Sequence, residues 1–272
     1  MYVKNSHEIG QKGEMTIQKL INDISYFSDK IERRGGTKSK TDFYFNVGET
    51  QINISGKSKS TLKSGSFDWG NISSCNSIFG DHFDELENKL NDIRLTKTLE
   101  ERKKLKKSLT QEFNLLCDQC FDRISKEDAL LILQQVIVCD IHHVIVDDRS
   151  SNTLYDFHPQ QHPLIKILNE IESVSFVKKV KTASSRTIIF TTKDNVQHDY
   201  GIRLRVMYNN GMSAKLKLNE NSVSKKNNNA TLCIKIQQEK LYPLLTQDID
   251  CKITRYNYDK QTDKYFNITQ TS

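Results

Sequence analysis

The stretch TDFYFNVGETQINISGK, running from Thr41 to Lys57, decides how this chain is read. Both of its halves alternate apolar and polar residues with period two, the mark of a half-buried strand. Between them stands Gly48-Glu49, and glycine supplies the positive φ that a two-residue hairpin turn requires. With that turn, opposed residues have numbers that sum to 97. Phe43 then meets Ile54 and Phe45 meets Ile52 on one face. Asp42 meets Ser55, Tyr44 meets Asn53 and Asn46 meets Gln51 on the other. One face is wholly apolar and the other wholly polar, a division that a slip of one residue would destroy.

The polar face carries an acid and a cation. Asp42 stands directly across from Ser55, and Lys57 is the next residue on that face, about 7–8 Å from Asp42 by ladder geometry. Phosphodiester hydrolysis needs carboxylates to hold a metal that polarises the phosphate and readies a water, with a cation near the nucleophile. Oxygen ligands and retained waters make Mg²⁺ the expected ion.

Working outward, residues 6–25 read as a helix: Gly13, Ile17, Leu20, Ile21 and Ile24 recur at helical spacing behind Ser6 as a cap, with Glu14 at the edge of the apolar stripe. A basic, glycine-containing loop (Arg33 to Lys40) leads into the hairpin. A Ser/Gly/Lys-rich loop over 58–71, holding the single tryptophan Trp69, leads out of it. Residues 81–135 show charged helical patterning, enough for two or three helices, with Leu95, Leu99, Leu105, Leu109, Phe113 and Leu116 among the apolar positions. Residues 135–146 are β-branched and read as a strand. From 175 onward short alternating runs and turns predict a β-rich portion, with LYPLL as a late helical turn or linker.

The set Lys40-Thr41-Asp42, a short spacer and Ile54-Ser55-Gly56-Lys57, preceded by a helix bearing Glu14, resembles the PD-(D/E)xK nuclease superfamily and within it the type II restriction endonucleases. Residues 71–90 (NISSCNSIFGDHFDELENKL) loosely resemble the segment after the catalytic lysine in MspI-like enzymes, and 227–236 (NNNATLCIKI) the C-terminal strand of that group. The resemblance implies that Asp42 is the principal metal ligand, that Lys57 aligns or activates the water, and that the Gly56 carbonyl touches the metal. Ser55 stands where most members carry Glu or Asp, so a carboxylate from elsewhere must complete the catalytic set. Glu14 is the first candidate, with Glu49 and Asp68 behind it.

The 272 residues, 36% hydrophobic and 27% charged, suffice for one large α/β domain or two small ones. The expectation is a central mixed sheet flanked by helices, with residues 1–172 as catalytic core with a helical insertion and 173–272 as a β-rich recognition portion. No apolar run with a cleavage site and no stretch of about 20 apolar residues occurs, which predicts no membrane association and a cytoplasmic, bacterial location. Six irregularly spaced cysteines read as reduced thiols, and the Cys117/Cys120 pair as a helix-face coincidence. His142, His143, Asp147 and Asp148 read as structural, because adjacent strand histidines point to opposite faces, and His158 and His162 as loop residues. No Walker loop, dinucleotide fingerprint or GxSxG elbow is present, which leaves nucleotide hydrolysis and esterase chemistry without support.

The formal charge of +6 is unevenly spread: residues 176–242 hold 13 Lys plus Arg against 4 Asp plus Glu. A polyanion is the expected partner of that segment, and the resemblance to restriction endonucleases implies that it is double-stranded DNA. Lys59 and Lys63 follow the catalytic strand and are expected on the DNA backbone. Arg203 and Arg205 on one strand face, Lys215 and Lys217 on another, and the loop residues Asn227 and Asn228, with Asn209, Asn210 and Asn229, make an inventory suited to base readout. The function implied is a Mg²⁺-dependent type II restriction endonuclease, monomer or homodimer, cutting at a short specific site. The alternatives are a less specific repair or phage nuclease of the same superfamily and a non-catalytic DNA-binding protein on a nuclease-like scaffold.

Overall fold

A computed structural model describes residues 6–23, 32–33, 41–58, 66–72, 83–137, 141–148, 151–178, 184–208, 211–218, 230–246 and 252–269. The hairpin forms in the register its sequence demands. β2 (Phe43–Val47) and β3 (Thr50–Lys57) pair antiparallel from Phe43↔Ile54 to Val47↔Thr50, every pair summing to 97. Gly48 turns the corner at a φ of 60°.

The chain is α/β and divides into two compact units interleaved in sequence: residues 1–69, 134–170 and 236–272 form the first, 70–133 and 171–235 the second. The expected single cut after 172 differs from this division. Residues 236–272 join the first unit because β12 (Ile253–Asp259) pairs with β6 (Thr153–Phe157), from Ile253↔Phe157 to Asn257↔Thr153.

The first unit is built on a mixed seven-stranded sheet in the order β1-β2-β3-β5-β6-β12-β13, with β1 at Glu32–Arg33, β5 at His143–Asp148 and β13 at Lys264–Asn267. β3 and β5 run parallel, from Ile54↔His143 to Lys57↔Val146. Helix α1 (Ser6–Asp23) covers the apolar face, where Ile17, Leu20 and Ile21 close on Phe43, Phe45, Ile54, Ile145 and Leu154. Burying such side chains stabilises by about 1.5–3 kcal/mol each, so this contact supports the hairpin from its apolar side. β4 (Ser66–Ile72) replaces the end of the expected loop and buries Phe67 and Trp69.

The second unit holds α2 (Asp84–Thr96), α3 (Leu99–Arg123) and most of α4 (Lys126–Ile137). Its strands are β7 (Ile171–Val177), β8 (Ser185–Thr192), β9 (Gln197–His198) and β10 (Ile202–Tyr208), the last of which β11 (Ala230–Gln237) borders. Thr98 and Glu101 form a reciprocal capping box at the start of α3, which satisfies backbone donors that a helix start otherwise leaves open. Leu95, an expected apolar-face residue, is 88% exposed; α2 buries Leu86, Leu90 and Ile93 instead.

Two local expectations are corrected. Residues 135–137 end a helix rather than begin a strand: Ser125 and Asp128 cap α4, and Ala129, Ile132 and Leu133 are buried at helical spacing, which overrides the β-branched tail. Lys215 ends a short helix, α6 (Gly211–Lys215), and Lys217 sits in a turn at a φ of 48°, so neither alternates on a strand face. The late helical turn at LYPLL is α7 (Gln238–Thr246). No helix among the described residues is long and apolar enough to cross a membrane.

Candidate active site at the end of the hairpin

Asp42 directly precedes β2, and its carboxylate faces the end of β3. Its Oδ2 accepts from the Gly56 N–H at 2.7 Å and from the Ser55 hydroxyl at 3.2 Å. Both hydrogen bonds fall on one oxygen, so Oδ1 is the edge that can meet a cation. Ile54 also points its carbonyl towards β2, where the Asp42 N–H donates to it at 2.9 Å, while the Asn53 carbonyl, one residue earlier, turns to the opposite side and takes the His142 N–H at 2.8 Å. Backbone groups alternate in this way along a strand, and N–H and C=O of one residue share a direction. Gly56, two residues beyond Ile54 and with its N–H on Asp42, therefore turns its carbonyl towards the Asp42 edge.

Gly56 is required by space as well. A Cβ there would stand 2.5 Å from Ile17 Cδ1, so glycine is what lets α1 lie against β3. Lys57, two residues on from Ser55, projects to the same face as Ser55, and its ammonium lies over the Trp69 ring at 5.7 Å from the centroid. The negative face of the indole attracts a cation placed there. Behind Trp69 stands His162, fully buried, with its ring perpendicular to both Trp69 and Phe157. Its Nδ1 accepts from the Leu164 N–H at 3.1 Å and caps α5 (Pro163–Leu168), which puts the proton on Nε2. Burial lowers its pKa to about 3, so it stays neutral.

On the opposite face, reached by Gly56 and Ser58, the buried Asp147 accepts from the Ser58 hydroxyl at 2.9 Å, and the Tyr242 hydroxyl donates to the Asp147 carbonyl at 3.0 Å. His142 and His143 diverge: His142 Nδ1 accepts from the Asn53 N–H, while His143 Nδ1 meets Asp156 at 3.0 Å, a contact that raises the His143 pKa.

The structure thus brings Asp42, Ser55, Gly56 and Lys57 to the end of the hairpin. Glu14 is half-buried in α1, one helical turn before Ile17. Among the described residues, no three His, Cys, Asp or Glu side chains gather as a metal-holding group. Glu49 is exposed in the hairpin turn and Asp68 is exposed on β4. Lys59, Lys63, Asn227 and Asn228 lie outside the described residues, as do Asn209, Asn210 and Asn229. Arg203 and Arg205 are half-buried on β10. Lys215 is 1% exposed and holds Glu87 at 2.6 Å, which turns it inward rather than towards a ligand. Cys117, Cys120 and Cys233 are buried thiols in no disulfide, and burial pushes the Cys120 thiol up to about 11, well away from nucleophilic or metal-binding character.

Comparison with protein-family models, with curated proteins and with solved structures finds no match.

Trp69 and His162 were not legible as site residues in the sequence. The lone tryptophan was visible, but a glycine- and serine-rich approach hid the strand that carries it beneath Lys57. His162 sits between two proline-containing turns, and nothing local distinguishes it from a loop histidine.

Proposed function

We propose that the chain is a Mg²⁺-dependent nuclease of the PD-(D/E)xK type that hydrolyses double-stranded DNA, acting as a type II restriction endonuclease at a short specific site. The observation that carries this reading is the register of the hairpin, which sets Asp42, Ser55 and Lys57 on one rigid polar face with Asp42 tied to the Gly56 amide.

The donor set suits the ion. Mg²⁺ takes one or two carboxylates and fills the remaining positions with waters and phosphate oxygens, so Asp42 Oδ1 and the Gly56 carbonyl would be its ligands at the hairpin, with Glu14 as the candidate second carboxylate. Bound there, the ion would polarise the scissile phosphate and acidify a water. The Gly56 and Ser55 hydrogen bonds fix the Asp42 carboxylate and disperse part of its charge. Lys57, parked on Trp69, supplies a cation that can orient the attacking water and offset charge developing on the phosphate. The basic segment 176–242 fits a polyanionic substrate.

Supercoiled plasmid incubated with the protein and Mg²⁺, then with EDTA, tests this. Discrete bands that vanish in EDTA are expected, and a smear would assign the less specific nuclease. Loss of cutting in Asp42→Asn and Lys57→Met, with DNA affinity kept, would assign the site. A second reading rests on Ser55 in place of the usual acid and on the absence of a metal-holding group of three among the described residues: a DNA-binding protein on a nuclease-like scaffold, which would bind DNA and cut none.

A further inference from the structure

β10 and β8 run antiparallel with Arg203 opposite Thr187, Leu204 opposite Arg186 and Arg205 opposite Ser185. β7 extends the row, with Val177 opposite Thr187 and Ser175 opposite Ile189. Directly opposed residues share a face, so Arg203, Arg205, Thr187, Ser185 and Val177 stand on one side of the sheet. The other side carries Arg186, which pairs with Asp118 and lies over Phe121, both on α3. The Arg203/Arg205 side is therefore the one turned away from α3. At β7 that side meets solvent: Ser173 and Ser175 are exposed, and Val177 is 39% exposed.

Three polar atoms on this face are buried without a hydrogen-bond partner: Arg203 Nε, Arg205 Nε and Thr187 Oγ1. Thr187 is 1% exposed. No carboxylate pairs with either arginine among the described residues. Two arginines two residues apart on one strand face have Cα atoms about 7 Å apart, and their like charges repel. Native proteins rarely leave so many buried donors open without a reason. An oxyanion seated across the two arginines would supply the missing acceptor, neutralise the repulsion and match the planar guanidinium fork.

We propose that Arg203, Arg205 and Thr187 form a phosphate-binding site that grips the backbone of a nucleic acid, so that these two arginines hold the DNA rather than read its bases. This rests on the DNA-cleaving reading above for its ligand, but not for the site itself. Nε atoms buried against the sheet keep the side chains low on its surface, whereas base readout requires a fork extended into a groove. The i, i+2 spacing of the two strand positions is comparable to that of successive phosphates along one strand, and backbone contacts of this kind position a duplex without reading its sequence.

The test uses the full chain in EDTA, to prevent cutting, with short duplexes of several unrelated sequences titrated against salt. Arg203→Gln/Arg205→Gln is expected to weaken binding by the same factor on every duplex and to reduce the slope of log affinity against log salt by about 2. An unchanged slope, or a loss confined to one sequence, would overturn the proposal. In parallel, inorganic pyrophosphate should raise the melting temperature of the wild type and leave that of the double variant unmoved. Should the Gln pair fail to fold, Arg203→Lys/Arg205→Lys keeps the charges without the fork: most of the salt slope should persist while pyrophosphate protection falls, and full protection would count against the site. Pyrophosphate protection without DNA binding by the wild type would leave an anion site standing and overturn its nucleic-acid ligand together with the nuclease reading. Normal DNA binding with an unaltered slope and no pyrophosphate effect would remove this site and leave that reading intact.

Discussion

The Gly56 backbone amide donates to Asp42 Oδ2 at 2.7 Å, so the acid proposed to hold the metal is also the acceptor that ends the β2–β3 ladder. A substitution there acts on fold and chemistry at once, and the two effects can be separated. Asp42→Asn keeps a side-chain oxygen for the Gly56 amide and loses the charge. Its melting temperature should stay close to the wild type while plasmid cleavage disappears. Asp42→Ala leaves the amide of a half-buried residue without its acceptor and should cost about 1–2 kcal/mol in addition. Chemical denaturation of both variants beside the cleavage assay checks the split; an active Asp42→Asn would remove Asp42 from the site.

A Cβ at residue 56 would collide with Ile17 Cδ1, the far end of a side chain that is itself fully buried. Gly56→Ala should therefore destabilise by about 1–3 kcal/mol through overpacking between α1 and β3. Ile17→Val removes the colliding methyl. Alone it should cost about 1 kcal/mol, but in the Gly56→Ala background it should cost less or restore stability. Urea midpoints of the four proteins, read at constant m, would show this coupling, and additive penalties would mean that α1 is not seated on Gly56.

Legibility in the sequence followed the range of the interaction. The hairpin was fully readable, because Gly48 and the strict alternation on either side fix its register locally, and the Asp42–Ser55 contact follows from that register. The helical character of residues 81–135 was readable from their patterning, but the buried face of the helix over 84–96 was not: Leu95 is exposed where Leu86, Leu90 and Ile93 are buried. Val136 and Ile137 misled, since a β-branched pair outweighs neither the Ser125 cap nor the buried Ile132 and Leu133. Lys215 and Lys217 misled because alternation over so few residues does not separate a strand from a single helical turn. The interleaving of the two units depends on β12 finding β6 across about a hundred residues, and no local pattern announces such a pairing.

Lys215 and Glu87 make an ion pair at 2.6 Å between α6 and α2, with the lysine side chain almost wholly buried. Burial is the largest influence on Lys215 and lowers its pKa, although Glu87 pulls the other way. Removing the cation alone, as in Lys215→Met, strands the Glu87 carboxylate and should cost about 3 kcal/mol. Lys215→Met/Glu87→Leu should recover most of that loss, because two apolar chains replace two desolvated charges. A double-mutant cycle by thermal or urea unfolding measures the coupling. The double variant should also bind DNA with the wild-type salt slope, since Lys215 faces inward; a slope reduced by about 1 would place it among the phosphate contacts.

His162 gives the first unit a predictable acid limb. Its folded pKa, lowered by burial to about 3, lies below the ordinary value of 6.5. The unfolded chain therefore takes up a proton on this imidazole as pH falls below 6.5, while the folded chain does not. Stability is unaffected by this group above the unfolded value and declines as pH drops towards the folded one, by on the order of 4 kcal/mol at pH 3. Asparagine at 162 can still cap α5 at the Leu164 amide and does not titrate. His162→Asn should be less stable than the wild type at pH 7, because the space between Trp69 and Phe157 is filled less well. That deficit should shrink as pH falls and reverse before pH 4. Carboxylates titrate alike in both proteins, so the difference between their unfolding free energies isolates the imidazole, and a difference that stays constant from pH 7 to pH 4 would show that His162 accepts a proton within the fold.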